Sequence, residues 1–340
     1  MDRILEIGNF AAGFCGRLFA QAGHEVVRVE TTEPVPGWVS TEALDLFLHP
    51  GKRRLQINDP ALISELANQA DIVIVEAPSA EALEALQFDD MDSRLKISIT
   101  PFGRTGPKRN WHATSSVLLA MGGYTYLMGD QGRAPLTLPG HFVEFESGQY
   151  AFTAANACRF AGEANNIDVS MLEVVMSLSQ FTTVKWHCGG EIRSRHGSEF
   201  WTVPPSNLFA CRDGWIYMNI VPIFWDAFAT FLDRPELVID ERFLTNDLRM
   251  KNRDALNECI QEVVLTMTKK TAQERAVESR VPVGIVQTLD DVLDDPHLLE
   301  REFWQQVDAA GYDSIRSPSP PFRFNKAPRP ELALTRPEEN

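Results

Sequence analysis

The chain has 340 residues, of which 44% are hydrophobic and 23% are charged, and its formal net charge is −15. This length corresponds to about two domains at roughly 150 residues each, and the composition is that of a globular protein with a sizeable core. A chain this acidic is not expected to bind nucleic acid or an anionic membrane, because both attract positive charge.

Cysteine usage and the amino-terminal sequence predict a cytoplasmic protein. The five cysteines are scattered and show neither a CxxC pair nor Cys/His ligand spacing, so a disulfide framework or a structural zinc is not expected. The first residues, MDRILEIGNF, carry acidic side chains and do not form a signal peptide pattern. No run reaches the ~18 apolar residues that a membrane span needs. We therefore expect reduced thiols and no metal centre.

The first hundred residues alternate short β-branched runs with helical patterns. The runs predicted to be strands are RILEI (3–7), EVVRVE (25–30), RRLQI (53–57), DIVIVE (71–76) and LKISIT (95–100). Helices are predicted at 13–23, where Gly23 closes the helix, and at 62–70. This alternation predicts an α/β fold with a mostly parallel sheet, whose ligands lie at the carboxyl ends of the strands.

The rest of the chain predicts more helices and then a second pattern. After a Gly/Pro-rich loop, the predicted elements are helices at 115–123 and 147–161 and a short strand that runs into a long helix over 167–184. Residues 187–206 are rich in Gly, Pro and charge, which is typical of a linker. A hairpin with its turn at Asp213-Gly214 and amphipathic helices follow, and the proline-rich tail is predicted to be extended.

Glycines follow the first strand, but not with the spacing of a dinucleotide-binding turn. Gly8, Gly13 and Gly16 give G-x-x-x-x-G-x-x-G, whereas the fingerprint is G-x-G-x-x-G. Side chains at 9–12 would keep the backbone from approaching a pyrophosphate. NAD or FAD binding is therefore not expected.

Two basic clusters stand out in this acidic chain. They are GKRRL (51–55) and the group Arg104, Lys108 and Arg109. Lysine and arginine bind phosphate through charge-assisted hydrogen bonds, so both clusters are candidates for a phosphorylated ligand. A solvated edge strand that discourages aggregation explains the first cluster equally well.

Two carboxylates precede a predicted helix in GHFVEFESGQ (140–149). The histidines are too scattered for a metal site, and no G-x-S-x-G elbow is present. Glu144 and Glu146 therefore remain as candidates for chemistry. The alternative interpretation of Glu144 is a charged residue at a helix start without a chemical role.

The chain resembles the family III CoA-transferases, the superfamily of formyl-CoA transferase, carnitine CoA-transferase and α-methylacyl-CoA racemase. The resemblance covers roughly residues 3 to 325 and depends on the order of several short segments. These are RILEIGNFAAG, GKRRLQI, ADIVIVE, ISITPFGRTGP, LLAMGG, GHFVEFESGQYAF, IDVSMLEVV, FACRDGWIYMNI and VPVGIVQTLDDVLDDPHLLEREF.

The resemblance implies a nucleophile at residue 144. In the family, an aspartate four residues before a glycine attacks the acyl-CoA carbonyl, through anhydride and enzyme-bound thioester intermediates. Counting back from Gly148 gives Glu144, so a glutamate stands where the family has aspartate. A glutamate is ionised at neutral pH and can be acylated. Its extra methylene moves the carboxylate by about 1 Å, which the pocket must accommodate.

The resemblance also implies substrates and contacts. Coenzyme A or acyl-CoA is expected as a substrate together with a small carboxylic acid, and no covalently bound cofactor is expected. The residues at positions of CoA contact are Phe10, Ala11, Lys52, Arg53, Arg54, Ile57, Glu76, Ala77, Phe102, Arg104 and His112. The chain departs from the family pattern at Phe10-Ala11 and Glu76-Ala77, and it lacks the segment that follows Ala327-Pro328 in the family.

Architecture and assembly are carried over in the same way. The resemblance implies a large Rossmann-like α/β domain from both chain ends (1–186 and 286–340), a linker (187–206) and a small inserted α+β domain (207–285). It also implies two interlocked copies in a homodimer. Two alternatives stay open: racemase-type proton transfer, for which His112 is the nearest base, and a catalytically degenerate CoA-binding subunit of a hetero-oligomer.

Overall fold

A computed structural model of the chain describes residues 1–30, 42–200, 202–312, 315–323 and 332–339. It divides into two compact units: residues 1–126, 136–193 and 296–340 form the first, and residues 127–135 and 194–295 form the second. A unit built from both chain ends, with a smaller one inserted, agrees with the predicted fold class. The finer domain boundaries at 186, 206 and 285 stay a prediction.

Strands and helices alternate through most of the first unit. The strands of the described residues are β1 Arg3–Ile7, β2 Glu25–Glu30, β3 Arg53–Gln56, β4 Ile72–Glu76, β5 Leu95–Thr100, β6 Asn165–Ser170, β7 Ser206–Cys211, β8 Gly214–Asn219, β9 Val283–Ile285, β10 Trp304–Ala309, β11 Ile315–Pro318, β12 Leu332–Leu334 and β13 Glu338–Glu339. The α-helices are α1 Phe10–Gln21, α2 Glu42–Leu48, α3 Pro60–Asn68, α4 Ala80–Ala85, α5 Ser115–Met121, α6 Tyr124–Leu127, α7 Phe142–Ala161, α8 Met171–Leu178, α9 Gln180–Gly189, α10 Trp225–Phe231, α11 Asn246–Lys251, α12 Arg253–Val264, α13 Lys269–Ser279, α14 Leu289–Leu293 and α15 Pro296–Glu300.

A parallel sheet of order β13-β3-β2-β1-β4-β5-β6 forms the centre of the first unit. The strand order reverses direction between β1 and β4, and Ile4 of β1 pairs with Val26 of β2 on one side and with Ile72 of β4 on the other. In open α/β sheets, a crevice for ligands opens outside the carboxyl ends of the strands at such a reversal. The topology therefore predicts a ligand site among the loops that follow β1 and β4.

Both faces of this sheet are buried, as the continuous apolar runs in the sequence predict. Alternate residues of β1 point to opposite faces, so Ile4 packs in the cluster with α1, α7 and α8, while Leu5 packs in the cluster with α3 and α4. Helices α1 and α7 cross closely at Gly148, where a Cβ atom would lie 2.5 Å from the carbonyl oxygen of Ala11. A second, three-stranded sheet of order β11-β10-β12 also belongs to the first unit.

The second unit contains the antiparallel sheet β7-β8-β9. The predicted hairpin is present as β7 and β8, with Arg212-Asp213 in the turn and Gly214 as the first residue of β8. Helices α10, α12 and α13 supply the apolar residues of its core, among them Phe228, Leu256 and Ala276.

Several predicted boundaries differ from the structure. Helix α7 begins at Phe142 and not at 147, so the GHFVEFESGQ segment is largely helical. The single helix predicted to end at 184 is two helices, α8 and α9, and α9 extends to Gly189 inside the predicted linker. Short strands β11, β12 and β13 account for described parts of the tail. Ala327-Pro328, after which the resemblance implies a missing segment, lie outside the described residues.

Candidate active site

A cavity of about 550 Å³ lies at the carboxyl ends of β1, β4, β5 and β6 in the first unit. Loops and helix starts supply its walls. The lining residues are Phe10, Glu76, Ala77, Pro78, Pro101, His112, Ala113, Thr114, Ser115, Ser116, Val117, Gly140, His141, Glu144 and Met171. A cavity of this size accepts a ligand of the size of a cofactor fragment. Its place at the strand reversal is where the topology predicts a ligand site.

Glu144 reaches this cavity from the first turn of α7. The helix begins at Phe142, so Glu144 is its third residue, a position where a carboxylate is stabilised by the helix dipole. The hydroxyl of Ser115, the first residue of α5, donates a hydrogen bond to Glu144 Oε2. The side chain is 13% exposed. The carboxylate is thus oriented by a neighbour and still open to the cavity.

His141 lies beside Glu144 at the start of the same helix. Its Nδ1 atom is 4.0 Å from Glu144 Oε1, which is within reach of a weak ion pair but too long for a hydrogen bond. The ring of His141 packs against the ring of Phe10, with 3.9 Å between centroids. This contact holds the imidazole at the amino terminus of α1 and next to the Glu144 carboxylate.

A second carboxylate, Glu76, ends β4 and caps the amino terminus of α1. Its Oε2 atom accepts backbone N–H groups from Asn9 (3.1 Å), Ala11 (2.9 Å) and Ala12 (2.8 Å). The turn from β1 into α1 comes this close because residue 8 is glycine. At Gly8 a Cβ atom would lie 2.6 Å from Glu76 Cβ, and its φ of +130° disfavours other residues.

Burial raises the pKa of Glu76 from 4.5 to about 7. The three backbone N–H donors favour the charged form and oppose this shift, and the nearby charge of Glu144 adds to it. The two carboxyl groups share one cavity, and a carboxyl group whose pKa is raised in such a cavity is a candidate for a functional role.

Helix amino termini compensate for the negative charge in this cavity. Helices α1, α7 and α8 all begin at its wall, with Phe10, Glu144 and Met171 among the lining residues. Each helix start carries a partial positive charge. An oxyanion that forms during attack on a carbonyl group would be stabilised by the same field.

The structure brings five predicted site residues to the cavity wall and places the others elsewhere. Phe10, Glu76, Ala77, His112 and Glu144 line the cavity. Ala11 is fully buried and takes part through its N–H group, which binds Glu76. Ile57 and Phe102 are buried within the apolar clusters of the sheet.

The predicted cations are held by carboxylates away from the cavity lining. Lys52 is fully enclosed, with Nζ 2.6 Å from Glu6 Oε2. Desolvation lowers its pKa to about 8. The remaining pairs are Arg54 with Glu30 (2.7 Å), Arg104 with Asp89 (2.5 Å) and the exposed Arg53 with Glu338 (2.8 Å). A contact between these cations and CoA remains a prediction that none of these ion pairs supports.

Sequence reasoning missed Ser115 and His141 as neighbours of Glu144. Both carry a local signal: Ser115 belongs to the Thr-Ser-Ser start of an apolar helix, and His141 lies three residues before Glu144, one helical turn away. Glu146 does not line the cavity. Residues two apart on a helix point in different directions, which separates it from Glu144.

Glu76 predicts a pH dependence of stability. The native pKa of about 7 exceeds the unfolded value of 4.5, so the folded chain retains a proton that the unfolded chain releases between these values. Stability from this group is complete below pH ~4.5 and is lost as the pH rises to ~7, by about 3 kcal/mol. Glu76→Gln imitates the protonated side chain, so we expect it to match wild type near pH 5 and to exceed it in free energy of unfolding at pH 8.

Urea unfolding of both proteins from pH 5 to pH 8 measures this difference. Glu65→Gln on the exposed face of α3 is the matched control. We expect its free energy of unfolding to change with pH as that of wild type does. If the free energy of unfolding changed with pH in the same way for Glu76→Gln and wild type, the raised pKa of Glu76 would be contradicted.

Within the described ranges, no group of three or more His, Cys, Asp or Glu side chains is arranged to hold a metal ion. The described helices also include none that is both long and apolar enough to cross a bilayer.

Comparison with known proteins gives consistent matches over nearly the whole chain. Residues 2–340 match the family described as CoA-transferase family III. The chain is 28% identical to succinyl-CoA–D-citramalate CoA-transferase of Chloroflexus aurantiacus, over 88% of this chain and 81% of the relative. It is also 28% identical to succinyl-CoA:mesaconate CoA-transferase of Haloarcula marismortui, over 92% of this chain and 86% of the relative.

A solved structure shares the fold. It is that of a CAIB/BAIF family protein from Brucella suis, which superposes with a TM-score of 0.82 at 23% identity and covers 98% of this chain and 93% of that one. The mixed α/β fold with the parallel sheet is therefore that of a known structural group.

Proposed function

The chain belongs to CoA-transferase family III, and from this membership we propose that Glu144 is the carboxylate through which CoA passes between an acyl-CoA thioester and a carboxylic acid. The observation that carries the proposal is the position of the Glu144 carboxylate. It opens into the cavity at the strand reversal and is oriented by the hydroxyl of Ser115.

The proposed reaction begins with attack of the Glu144 carboxylate on the thioester carbonyl. The C–S bond breaks, CoA leaves as a thiolate, and a mixed anhydride forms between Glu144 and the acyl group. The thiolate then attacks the glutamyl carbonyl, which releases the donor carboxylate and leaves a glutamyl-CoA thioester. The acceptor carboxylate repeats both steps in reverse order, and Glu144 is regenerated. One difficult exchange is thus divided into easier acyl transfers.

The surrounding residues have defined tasks in this scheme. Ser115 holds one carboxylate oxygen of Glu144, which leaves the other directed towards the cavity. The amino termini of α1, α7 and α8 supply the field that stabilises each tetrahedral oxyanion. Because the carboxylate of residue 144 is carried on a glutamate, its reach differs by about 1 Å from that of an aspartate. We propose that Ser115 corrects for this reach by drawing the longer side chain towards α5.

The remaining CoA contacts stay proposals. Phe10, Ala77 and His112 line the cavity, and we propose that they contact the pantetheine arm. Phe102 and Arg104 belong to the loop after β5, next to Pro101 in the cavity wall. A contact with CoA would require Lys52, Arg53 and Arg54 to leave their present ion pairs. It would require Ile57 to leave its apolar cluster.

Mass spectrometry tests the proposed function directly. The protein is incubated with a panel of acyl-CoA donors and carboxylic acids, and new thioesters are identified in the product mixture. In parallel, protein incubated with acyl-CoA alone is treated with hydroxylamine and digested. We expect CoA transfer to at least one acid and a hydroxamate on the peptide that contains Glu144.

Other outcomes identify the two alternatives. Exchange of the α-proton of an acyl-CoA with solvent deuterium, without a labelled Glu144 peptide, would support racemase-type chemistry. CoA binding with neither exchange nor labelling would support a catalytically degenerate subunit. Each of these outcomes would overturn the role of Glu144 as nucleophile.

We further propose that two copies of the chain form a homodimer. Large apolar side chains are exposed on the segment from α7 to residue 193 in the first unit, including Phe160 (97% exposed), Trp186 (54%) and Ile192 (74%). Exposed apolar groups of this kind are typical of surfaces that a partner covers. Light scattering after gel filtration is expected to give about twice 38.2 kDa. A monomer at micromolar concentration would refute the dimer, and a stable complex of unequal chains would favour a hetero-oligomer.

A further inference from the structure

The imidazole of His141 lies at the reacting end of Glu144. The hydroxyl of Ser115 donates to Oε2 of the carboxylate, so Oε1 is the oxygen that remains for attack. Nδ1 of His141 is 4.0 Å from this Oε1 atom. On the basis of the proposed function, the thioester carbon bonds to Oε1. The sulfur of CoA leaves that same carbon, so it departs close to the imidazole.

Packing holds the ring of His141 in this place and leaves part of it open. The ring packs against the buried ring of Phe10, with 3.9 Å between centroids, and the ring of Phe145 lies 6.0 Å away. The carbonyl oxygen of His141 accepts the N–H of Phe145 at 3.0 Å, which ties the residue to α7. The side chain is 33% exposed and lines the cavity. The imidazole is therefore both fixed and accessible to a ligand in the cavity.

The sulfur of CoA needs a positive neighbour during the proposed reaction. It leaves as a thiolate, and it must still be a thiolate when it attacks the glutamyl carbonyl. A free alkyl thiol is mostly protonated at pH 7 and is then a poor nucleophile. A protonated histidine beside a thiol raises the fraction of thiolate. Histidine is the side chain that carries such a charge near neutral pH.

A different group is available to the oxyanion, which is the other anion of the reaction. Helix α7 begins at Phe142 beside the cavity, and no side chain of the described residues caps its start. Uncapped N–H groups at the start of a long helix stabilise an oxygen anion. The oxyanion therefore does not depend on the imidazole of His141 as its donor.

The negative charge moves from Glu144 to sulfur when the anhydride forms, because an acylated glutamate is neutral. A positive ring beside Oε1 attracts this charge both before and after the transfer. We propose that His141 is a catalytic residue whose protonated ring pairs with the CoA thiolate. An N–H of the ring donates a hydrogen bond to sulfur as the C–S bond breaks, and it keeps sulfur ionised until sulfur attacks the glutamyl carbonyl. The ring keeps its proton in both steps.

His141→Gln tests this role, because glutamine retains an N–H donor but has no charge. We expect kcat for CoA transfer at pH 7 to fall by ~100-fold, with KM for acyl-CoA within a few-fold of wild type. His297→Gln is the matched control: this histidine is exposed on α15 and is not among the lining residues, so its variant should retain wild-type kcat. A wild-type kcat in His141→Gln would overturn the proposal.

The pH dependence separates the charge of His141 from its packing against Phe10. We expect the ratio of wild-type kcat to that of His141→Gln to fall below ~10-fold at pH 9, where the imidazole is neutral and a thiol ionises without help. The other titratable groups at this wall are Glu144 on α7, Glu76 at the end of β4 and His112 before α5. All three are present in both proteins, so their titration cancels in the ratio. A ratio that stays constant from pH 6 to pH 9 would reject the role of the charge.

Bound CoA reports the contact without any turnover. CoA is isotope-labelled at the carbon next to sulfur, whose NMR chemical shift distinguishes thiol from thiolate. It is bound to Glu144→Gln, because the amide is uncharged like the acylated glutamate. At pH 7 we expect a thiolate fraction at least ~10-fold higher than in the double variant Glu144→Gln/His141→Gln. Equal fractions in the two proteins would overturn the proposal.

This measurement also distinguishes the role of His141 from the proposed function. Transfer of CoA through Glu144 together with a protonated thiol in the bound complex would reject the role of His141 and leave the proposed function intact. A stabilised thiolate in a protein that transfers no CoA would support the contact of His141 with sulfur and reject only the proposed function.

Discussion

Replacement of Glu144 with glutamine is expected to lower kcat for CoA transfer by about 10⁴-fold or more, because the proposed nucleophile is lost. The amide has nearly the same shape, and its oxygen can still accept the hydrogen bond from Ser115. Affinity for acyl-CoA should therefore remain within a few-fold of wild type. A loss confined to kcat is typical of a group that acts on the reacting atoms.

Three further variants make this prediction specific. Glu146→Gln is the matched control, since Glu146 is two residues away on α7 and does not line the cavity; it should retain wild-type kcat. Glu144→Asp keeps a carboxylate but withdraws it by about 1 Å, so we expect a loss of ~10- to 100-fold with hydroxylamine labelling preserved. Ser115→Ala removes the orienting hydroxyl and should lower kcat by ~10-fold.

Initial rates at saturating acyl-CoA, together with the labelled peptide, measure these effects. Wild-type kcat in Glu144→Gln would show that another group carries CoA. Glu76 would then be the next candidate, since it is the other carboxyl group at the cavity wall.

The sequence predicts the parallel sheet well because its strands are buried on both faces. Continuous apolar runs such as DIVIVE, separated by short helices, predict strands of a parallel sheet that is buried on both faces. Strands β1 to β5 occur at the predicted positions. The reversal of strand order, and with it the cavity, follows only from which strands pair. The pairing of β1 with both β2 and β4 is set by tertiary packing, and the hydrophobic periodicity of the sequence does not predict it.

The candidate site was predictable where the residues share a motif. The family resemblance names Glu144 through its spacing to Gly148, and it names Glu76 and Ala77 after an apolar strand. The basic clusters, in contrast, form ion pairs away from the cavity lining. The sequence predicts both clusters as candidates for a phosphorylated ligand, but Glu6, Glu30 and Asp89 neutralise Lys52, Arg54 and Arg104. Pairing of this kind between distant segments has no signature in a linear sequence.

The start of α7 shows a similar limit. The carboxylates in GHFVEFESGQ interrupt the apolar pattern and moved the predicted helix start from 142 to 147. In the structure, Glu144 occupies the first turn because an acidic residue is stabilised there and because Ser115 and the cavity give its side chain a place. A charged residue that interrupts the apolar pattern of a helix is therefore misinterpreted as a loop residue.

Gly148→Ala is expected to destabilise the first unit by about 2 kcal/mol or more and to lower kcat by ~10- to 100-fold. At Gly148 a Cβ atom would lie 2.5 Å from the backbone oxygen of Ala11 and 3.1 Å from the backbone nitrogen of Cys15. Backbone atoms cannot rotate away, so α1 and α7 must separate, and such overpacking is costly. Helix α7 carries Glu144 one turn earlier, and α1 carries the N–H groups that bind Glu76. A displacement of either helix therefore moves both carboxyl groups relative to the cavity.

Gly189→Ala is the matched control for this effect. Gly189 is also a helical glycine, at the end of α9, and a Cβ atom there would meet no heavy atom of the described residues within 4 Å, so alanine should be neutral or slightly stabilising. Urea unfolding and the transfer assay are measured on the same preparations. A Gly148→Ala protein with wild-type stability and reduced kcat would mean that α7 moves without loss of packing, whereas reduced stability with wild-type kcat would separate the helix crossing from the site. Wild-type values of both would contradict the close approach of α1 and α7 on which the geometry of the two carboxyl groups depends.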